Sequence, residues 1–194
     1  PAAPTVADAE LHSPRRRAYR MAMPAESPTY WTKAAVQALP DDGQRYELAW
    51  GELLVTPAPT PRHEKVLMRL LEALFPYVRE PALGQVYCSK AELSWGDDTR
   101  FQPDIMIVPP EEADSTTWDE VRHPLLLVEV LSPSSTRYDR FAKRRAYQEA
   151  GVPLYWIVDP AAAQVDVWTP ALTFPVFERE RLTWAPAGAS VPFS

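Results

Sequence analysis

The residue that stands out chemically in this sequence is a glutamate embedded in an apolar segment. Glu129 lies within Leu125–Leu131, seven residues without polar alternation, and this pattern predicts a central strand buried on both faces. An ionised carboxylate without a partner would be destabilised there by several kcal/mol. Glu129 must therefore be protonated, paired or bound to a cation. The plainer alternative is a structural ion pair with an arginine of the following helix.

A second acid, Asp104, opens another predicted strand directly after Pro103. By itself, a carboxylate in a Gln-Pro-Asp turn is more often a turn-former than a ligand. If the strands that carry Asp104 and Glu129 are neighbours, however, both carboxylates can point into one cleft. Carboxylate oxygens are ligands that hard cations such as Mg²⁺ prefer, so the pair predicts a metal-binding site.

Basic residues concentrate in the helix predicted after the buried glutamate. On a helical wheel Arg137, Arg140 and Arg144 share one polar face, which suits contacts with phosphate groups. Lys143 lies on the flank of this helix, where it could reach the acidic cleft and orient or polarise an attacking water. The plainer alternative is a solvated face with an i,i+4 ion pair between Asp139 and Lys143. The apolar side of the helix is predicted to comprise Tyr138, Phe141, Ala142 and Ala146.

Three further residues, Glu47, Glu52 and His63, carry weaker signals. Glu47 and Glu52 lie on the two strands of a predicted hairpin, and such strands often expose glutamate. His63 lies three residues before Val66, beside the apolar stripe of a long predicted helix. A histidine there is more often a hydrogen-bonded core residue than a ligand.

The positions of these residues depend on the elements that carry them. Helices are predicted at Thr32–Leu39, at about Arg62–Arg79 and at Thr136–Ala150. Strands are predicted at Arg45–Leu48, Glu52–Val55, Gln85–Cys88, Ala91–Trp95, Asp104–Val108, Leu125–Leu131, Leu154–Val158, Gln164–Trp168, Phe174–Glu178 and Leu182–Trp184. This order predicts an α/β or α+β fold, a mixed β-sheet flanked by helices with an N-terminal β-hairpin extension. Residues 1–28 are predicted to be a disordered or extended tail, and residues 29–194 a single domain.

Composition excludes several classes of protein. Among the 194 residues, no apolar run reaches the roughly 18–20 residues that a membrane span requires. The N-terminus lacks the apolar core of a secretory signal, and the single cysteine cannot form an internal disulfide, so a cytoplasmic location is expected. The net charge of −6 argues against coating nucleic acid through the overall field, but not against a local basic surface. The motifs of phosphate-binding loops, serine hydrolases and zinc proteases are absent from the sequence.

Several short motifs, in order along the chain, resemble those of the Uma-two family of restriction endonucleases. These motifs are Tyr46-Glu47-Leu48, Gly51-Glu52-Leu53, Pro61-Arg62-His63, Gln102-Pro103-Asp104, Val128-Glu129-Val130-Leu131-Ser132-Pro133-Ser134, Lys143, and the closing segment from Gly151 to Pro160. The resemblance runs from about Thr32 to the C-terminal strands. The family is similar to the PD-(D/E)XK nuclease superfamily, which implies a restriction-endonuclease-like mixed sheet flanked by helices.

The resemblance also implies roles for individual residues. Asp104 and Glu129 would be the two metal-binding acids, and the backbone carbonyl of Val130 a further ligand for Mg²⁺ or Mn²⁺. The sequence departs from the superfamily where the catalytic lysine is expected, because Leu131 occupies that position. Lys143 on the next helix is the natural substitute.

Further acids and polar groups complete the expected site. Glu47 would supply the additional acid that superfamily members often carry, and Glu52, His63 and Gln102 are candidates for supporting groups around it.

Two hypotheses follow. The first is a metal-dependent endonuclease that hydrolyses DNA phosphodiester bonds, with Arg137, Arg140 and Arg144 on the DNA backbone. The second is a catalytically inactive binding or assembly module that keeps the nuclease fold, which Leu131 and the acidic net charge favour. A homodimer is expected from the resemblance and from the aromatic residues Trp168 and Trp184, which are predicted to be exposed.

Overall fold

The structure is a computed structural model that describes residues 30–194, so the predicted tail at 1–28 lies outside the described residues. The helices are α1 (Lys33–Gln37), α2 (Pro61–Arg79), a π-helix (Tyr138–Lys143) that continues directly into α3 (Arg144–Glu149), and two 3₁₀ turns (Pro110–Glu112 and Trp118–Glu120). The strands are β1 (Arg45–Ala49), β2 (Glu52–Thr56), β3 (Gln85–Cys88), β4 (Leu93–Gly96), β5 (Thr99–Phe101), β6 (Ile105–Val108), β7 (Leu126–Val130), β8 (Tyr155–Asp159), β9 (Gln164–Trp168) and β10 (Val176–Glu178).

The strands form two sheets. The larger sheet has six strands in the order β10-β9-β8-β7-β6-β3, in which β7 and β8 are parallel and the other neighbours antiparallel. The predicted mixed sheet flanked by helices is therefore confirmed. The smaller sheet has the order β2-β1-β5-β4 and is antiparallel throughout. The predicted hairpin is thus half of a second sheet, because β1 also pairs with β5.

Strand β7 lies at the centre of the larger sheet with all five residues buried, as its apolar sequence predicts. One face of this strand packs against α2, in a core that includes Leu74, Val78 and Val128. The opposite face packs against α3 and the smaller sheet, in a core that includes Leu127 and Tyr147. Because side chains alternate across a strand, Glu129 shares the face of Leu127 and points towards α3 and the smaller sheet.

The long helix α2 begins as its sequence predicts. Thr60 is the N-cap and accepts a hydrogen bond from the backbone N–H of His63, and Pro61 occupies the first turn. Leu67, Leu74 and Val78 repeat at helical spacing and are buried against the larger sheet. His63 therefore lies on the buried side of α2, at its N-terminal end.

The structure corrects two sequence predictions and adds one strand that the sequence did not predict. Leu182–Trp184 does not form a strand, because only an isolated bridge joins Trp184 to Phe193. Strand β5 escaped prediction because three residues are too few for a recognisable alternation. Trp168 and Trp184 are each only 8% exposed, so they provide no dimer surface, and the homodimer stays a prediction.

The helix after β7 also differs from the prediction. It begins as a π-helix, and its buried residues are Asp139, Lys143, Ala146 and Tyr147, whereas Phe141 is 64% exposed. The buried positions keep the helical spacing i, i+4, i+7 and i+8, but the first two are charged. Of the predicted apolar side, Ala146 is buried and Tyr138 and Ala142 pack against the core, so only Phe141 was placed wrongly.

Across residues 30–194, no helix is both long and apolar enough to cross a membrane.

Candidate active site

Four carboxylates from separate segments converge between the two sheets. Glu47 comes from β1, Asp104 from the residue before β6, Glu129 from β7 and Asp139 from the π-helix. Each is at most 2% exposed, and together they line a cavity of about 30 Å³. This volume has room for one or two water molecules or an ion. Lys143 lines the same cavity and is also fully buried.

The ammonium group of Lys143 lies among three of these acids. Its Nζ is 2.8 Å from Glu129 Oε1, 3.0 Å from Glu47 Oε1 and 3.3 Å from Asp139 Oδ1. Tyr147 adds a hydroxyl that donates to Glu129 Oε1 at 3.3 Å. The sequence predicts that Lys143 could reach the acidic cleft, and in the structure its ammonium contacts Glu129 directly.

Asp104 has a different set of partners. Its Oδ1 accepts hydrogen bonds from both terminal nitrogens of Arg45 at 3.0 Å. Its Oδ2 accepts from the backbone N–H of Val130 at 2.8 Å and lies 2.9 Å from His63 Nε2. Asp104 is therefore held as an ionised carboxylate with donors on both oxygens.

The two metal-binding acids predicted from the sequence are perturbed in opposite directions. Burial raises the pKa of Asp104, but the His63 hydrogen bond and the Arg45 charge outweigh burial and lower this pKa to about 2. Burial raises the pKa of Glu129 well above its usual value, and Lys143 offsets only part of this effect. Asp104 is therefore stabilised as an anion, whereas Glu129 ionises at a cost to the fold.

The surrounding groups respond to the same charges. Burial lowers the pKa of Lys143, but the charges of Glu129, Glu47 and Asp139 outweigh it and raise this pKa well above its usual value. Burial likewise lowers the pKa of His63, and the hydrogen bond and charge of Asp104 raise it overall. Lys143 is consequently a permanent ammonium at neutral pH.

The predicted supporting residues fall into two groups. His63 contacts Asp104 directly, and Gln102 acts through its backbone: its N–H donates to Glu47 Oε1 at 2.6 Å and its carbonyl accepts from Arg45. Glu52 is exposed at the start of β2 and does not join the cluster. Val130 contacts Asp104 through its N–H, and its carbonyl as a metal ligand stays a prediction.

The three predicted phosphate-binding arginines have different environments. Arg137 is exposed and has no hydrogen-bond or ion-pair partner among the described residues. Arg140 forms ion pairs with Asp159 and with the buried Asp166. Arg144 donates to Gln148 and stacks over Trp168. Only Arg137 is available for a phosphate without first breaking an intramolecular contact.

Two residues of the site escaped the sequence interpretation. Asp139 was considered only as the partner of Lys143 on a solvated face, and its i,i+7 and i,i+8 spacing to Ala146 and Tyr147 was the signal that could have revealed its burial. Arg45 carried no signal, because its partner Asp104 is 59 positions away in sequence.

The donor chemistry suits a hard divalent cation, although residues 30–194 contain no ready cluster of three acidic, histidine or cysteine side chains at coordinating distance. Four carboxyl groups surround two cationic side chains, Arg45 and Lys143, so acids outnumber cations in the cluster. Mg²⁺ needs only one or two carboxylates, because it keeps several of its waters. The cluster therefore fits such an ion in charge and in ligand type.

A wider cleft gives the cluster a route to the surface. Arg45, His63 and Asp104 line a cavity of about 200 Å³ together with Gln44 and Lys90. A substrate that is too large for the small cavity could therefore approach Asp104 from this side.

Comparison with known proteins gives consistent results. The profile of the family Uma2, described as "Putative restriction endonuclease", matches residues 34–187. A solved structure of "a putative nuclease belonging to DUF820" from Anabaena variabilis superposes with a TM-score of 0.69 at 19% identity, over 82% of this chain and 91% of that one. At this identity the superposition establishes a shared fold. The search among curated proteins finds no match.

Proposed function

The chain belongs to the Uma2 family, and from this membership we propose that it is a divalent-metal-dependent endonuclease that hydrolyses DNA phosphodiester bonds. The observation that carries the proposal is the convergence of acids from four separate segments around one buried ammonium, that of Lys143. A fold gains little from burying so many charges together, so the arrangement indicates chemistry.

Asp104 and Glu129, with the carbonyl of Val130, would hold Mg²⁺ or Mn²⁺. When bound, the ion supplies an activated water and neutralises charge on the phosphate. Asp104 Oδ1 is already engaged by Arg45, whose side chain is 26% exposed and lines the wider cleft. Arg45 would then turn towards the substrate, where a guanidinium suits a phosphate oxygen. His63 and the Val130 N–H would keep Asp104 ionised and oriented through Oδ2.

Lys143 would supply the positive charge that the superfamily lysine provides. Leu131, at the usual lysine position, lies in the apolar core between the sheets and carries no charge. Lys143 nevertheless reaches Glu129 Oε1 from the next helix. Its ammonium can donate a hydrogen bond to the attacking water and stabilise negative charge in the transition state.

A plasmid-nicking assay tests the proposed function. Wild-type protein is expected to nick supercoiled DNA with Mg²⁺ or Mn²⁺ and to be inactive with a chelator, while Asp104→Ala should lose nicking under all conditions. Glu72→Ala, which removes an exposed acid on α2, is the matched control and should retain activity. Absence of nicking by folded wild-type protein, with either ion, would favour the inactive binding or assembly module.

The arginines give a second test, based on the salt dependence of DNA binding. Arg137→Gln is expected to reduce the slope of log affinity against log salt by about one unit, because one phosphate contact is lost. Arg140→Gln is expected instead to lower the unfolding free energy by about 3 kcal/mol, because it leaves the buried Asp166 without its cation. Fluorescence anisotropy and thermal unfolding measure the two effects. An unchanged slope in Arg137→Gln would show that this arginine faces away from the DNA.

A further inference from the structure

Asp139 is an exception among the buried acids. Its carboxylate is 1% exposed, and neither oxygen makes a hydrogen bond of good geometry, although the Ser135 side chain lies close enough to favour the ionised form. The nearest cation is Lys143, whose Nζ lies 3.3 Å from Asp139 Oδ1. The other buried acids of residues 30–194 each accept at least one hydrogen bond; they are Glu47, Glu92, Asp104, Glu112, Glu129 and Asp166.

Leaving a buried carboxylate without hydrogen bonds is unfavourable, and a neutral asparagine would fit the same space. Stability therefore does not explain why this position carries a charged aspartate, and a functional role is indicated. Asp139 lies one helical turn before Lys143 in the π-helix, and π-helical turns are frequent at functional sites. The two side chains thus share one helical segment, and both residues line the small cavity.

Such a role follows because Lys143 and the divalent ion would both bind the Glu129 carboxylate. Glu129 Oε1 is the nearest acceptor of Lys143, at 2.8 Å, and in the proposed function Glu129 also holds the divalent ion. Two cations on one carboxylate repel each other, so the ammonium must rely on its other acceptors when the ion binds. One of these, Glu47, already accepts the Gln102 N–H. Neither Asp139 oxygen makes a well-formed hydrogen bond, so the Asp139 carboxylate can accept one from the Lys143 ammonium.

We propose that Asp139 is a positioning residue, which retains the Lys143 ammonium beside the reacting phosphate when Glu129 engages the divalent ion. This inference rests on the proposed function and deepens it. Asp139 acts through Lys143, so removing the Asp139 charge matters only while Lys143 is present. Without the Asp139 charge, Lys143 would bind Glu129 more tightly and compete with the ion.

A double-mutant cycle of Asp139→Asn and Lys143→Met tests the proposal, with Mn²⁺ affinity by calorimetry and plasmid nicking as separate readouts. In the protein that keeps Lys143, Asp139→Asn is expected to weaken Mn²⁺ binding about threefold and to slow nicking about tenfold. In the Lys143→Met background it should change neither. Glu149→Gln is the matched control, because Arg145 and Glu149 form an i,i+4 pair on the adjoining helix at exposed positions.

Asp139→Glu keeps the test decisive if Lys143→Met fails to fold. A glutamate restores the charge but is larger, so recovery of most of the nicking lost in Asp139→Asn supports positioning, and a greater loss indicates a packing role and overturns it.

The remaining outcomes separate this proposal from the proposed function. Equal effects of Asp139→Asn in both backgrounds, or a loss of Mn²⁺ affinity of about tenfold or more in both, would overturn positioning and leave the nuclease intact. If Mn²⁺ affinity shows the expected coupling between Asp139 and Lys143 but the wild-type protein never nicks DNA, only the proposed nuclease function is refuted. Wild-type protein that binds no Mn²⁺ would refute both.

Discussion

Replacing Lys143 with methionine is expected to slow DNA cleavage by about 10²-fold or more, the effect of losing one preorganised charge in a catalytic site. No other lysine can compensate, because Lys33, Lys65 and Lys90 do not line the acidic cavity. Mn²⁺ affinity should stay within a fewfold of wild type or rise, since a competing cation has been removed. Single-turnover cleavage at saturating Mn²⁺ and calorimetric titration measure the two quantities.

The same substitution leaves Glu47, Glu129 and Asp139 without their shared counter-ion, so the unfolding free energy of Lys143→Met should fall without divalent ions. Cleavage is therefore compared at temperatures where circular dichroism shows both proteins folded. Lys143→Arg should restore stability better than cleavage, because the planar guanidinium is wider than a compact ammonium. Lys65→Met, at an exposed position on α2, is the control. Wild-type cleavage rates in folded Lys143→Met would exclude Lys143 from catalysis.

The second large effect separates the two acids that we propose as metal ligands. Asp104→Asn and Glu129→Gln should each weaken Mn²⁺ binding by about tenfold or more, because each removes one carboxylate ligand. Their effects on stability without divalent ions should have opposite signs. Asp104→Asn weakens the contacts with Arg45 and His63 and should lower the unfolding free energy by about 2 kcal/mol at neutral pH. Glu129→Gln should raise it, because it replaces a buried anion by a neutral isostere.

The pH dependence of stability follows from the same pKa directions. Asp104 has a folded-state pKa of about 2, below its usual 3.8, so its contribution is present above about pH 4 and is lost as the pH falls towards 2. Glu129 has a raised pKa, so its contribution is full below its usual 4.5 and is lost as the pH rises through the raised value. Thermal unfolding in a chelator from pH 3 to 8 measures both. Equal destabilisation of both variants at neutral pH would contradict this assignment.

The elements that carry the site could largely be predicted from local sequence. The apolar run around Glu129 predicts a buried central strand, because a strand covered on both faces needs no polar alternation, and β7 is such a strand. Thr60, Pro61 and the apolar stripe after His63 likewise predict the start and buried side of α2. These signals depend on neighbours within one or two turns, so the sequence alone determines them.

The contacts within the site were decided by the tertiary structure. Arg45 meets Asp104 across 59 positions, and Glu47 meets Lys143 only because β1 lies opposite the helix that follows β7. Asp139 and Lys143 are also buried on the same side as Ala146 and Tyr147, which the apolar pattern of the helix does not predict. Charged side chains can be buried when distant partners compensate for lost hydration. Those partners are supplied by strand and helix placement, so a charged residue's local sequence cannot tell whether it will be solvated or part of the site.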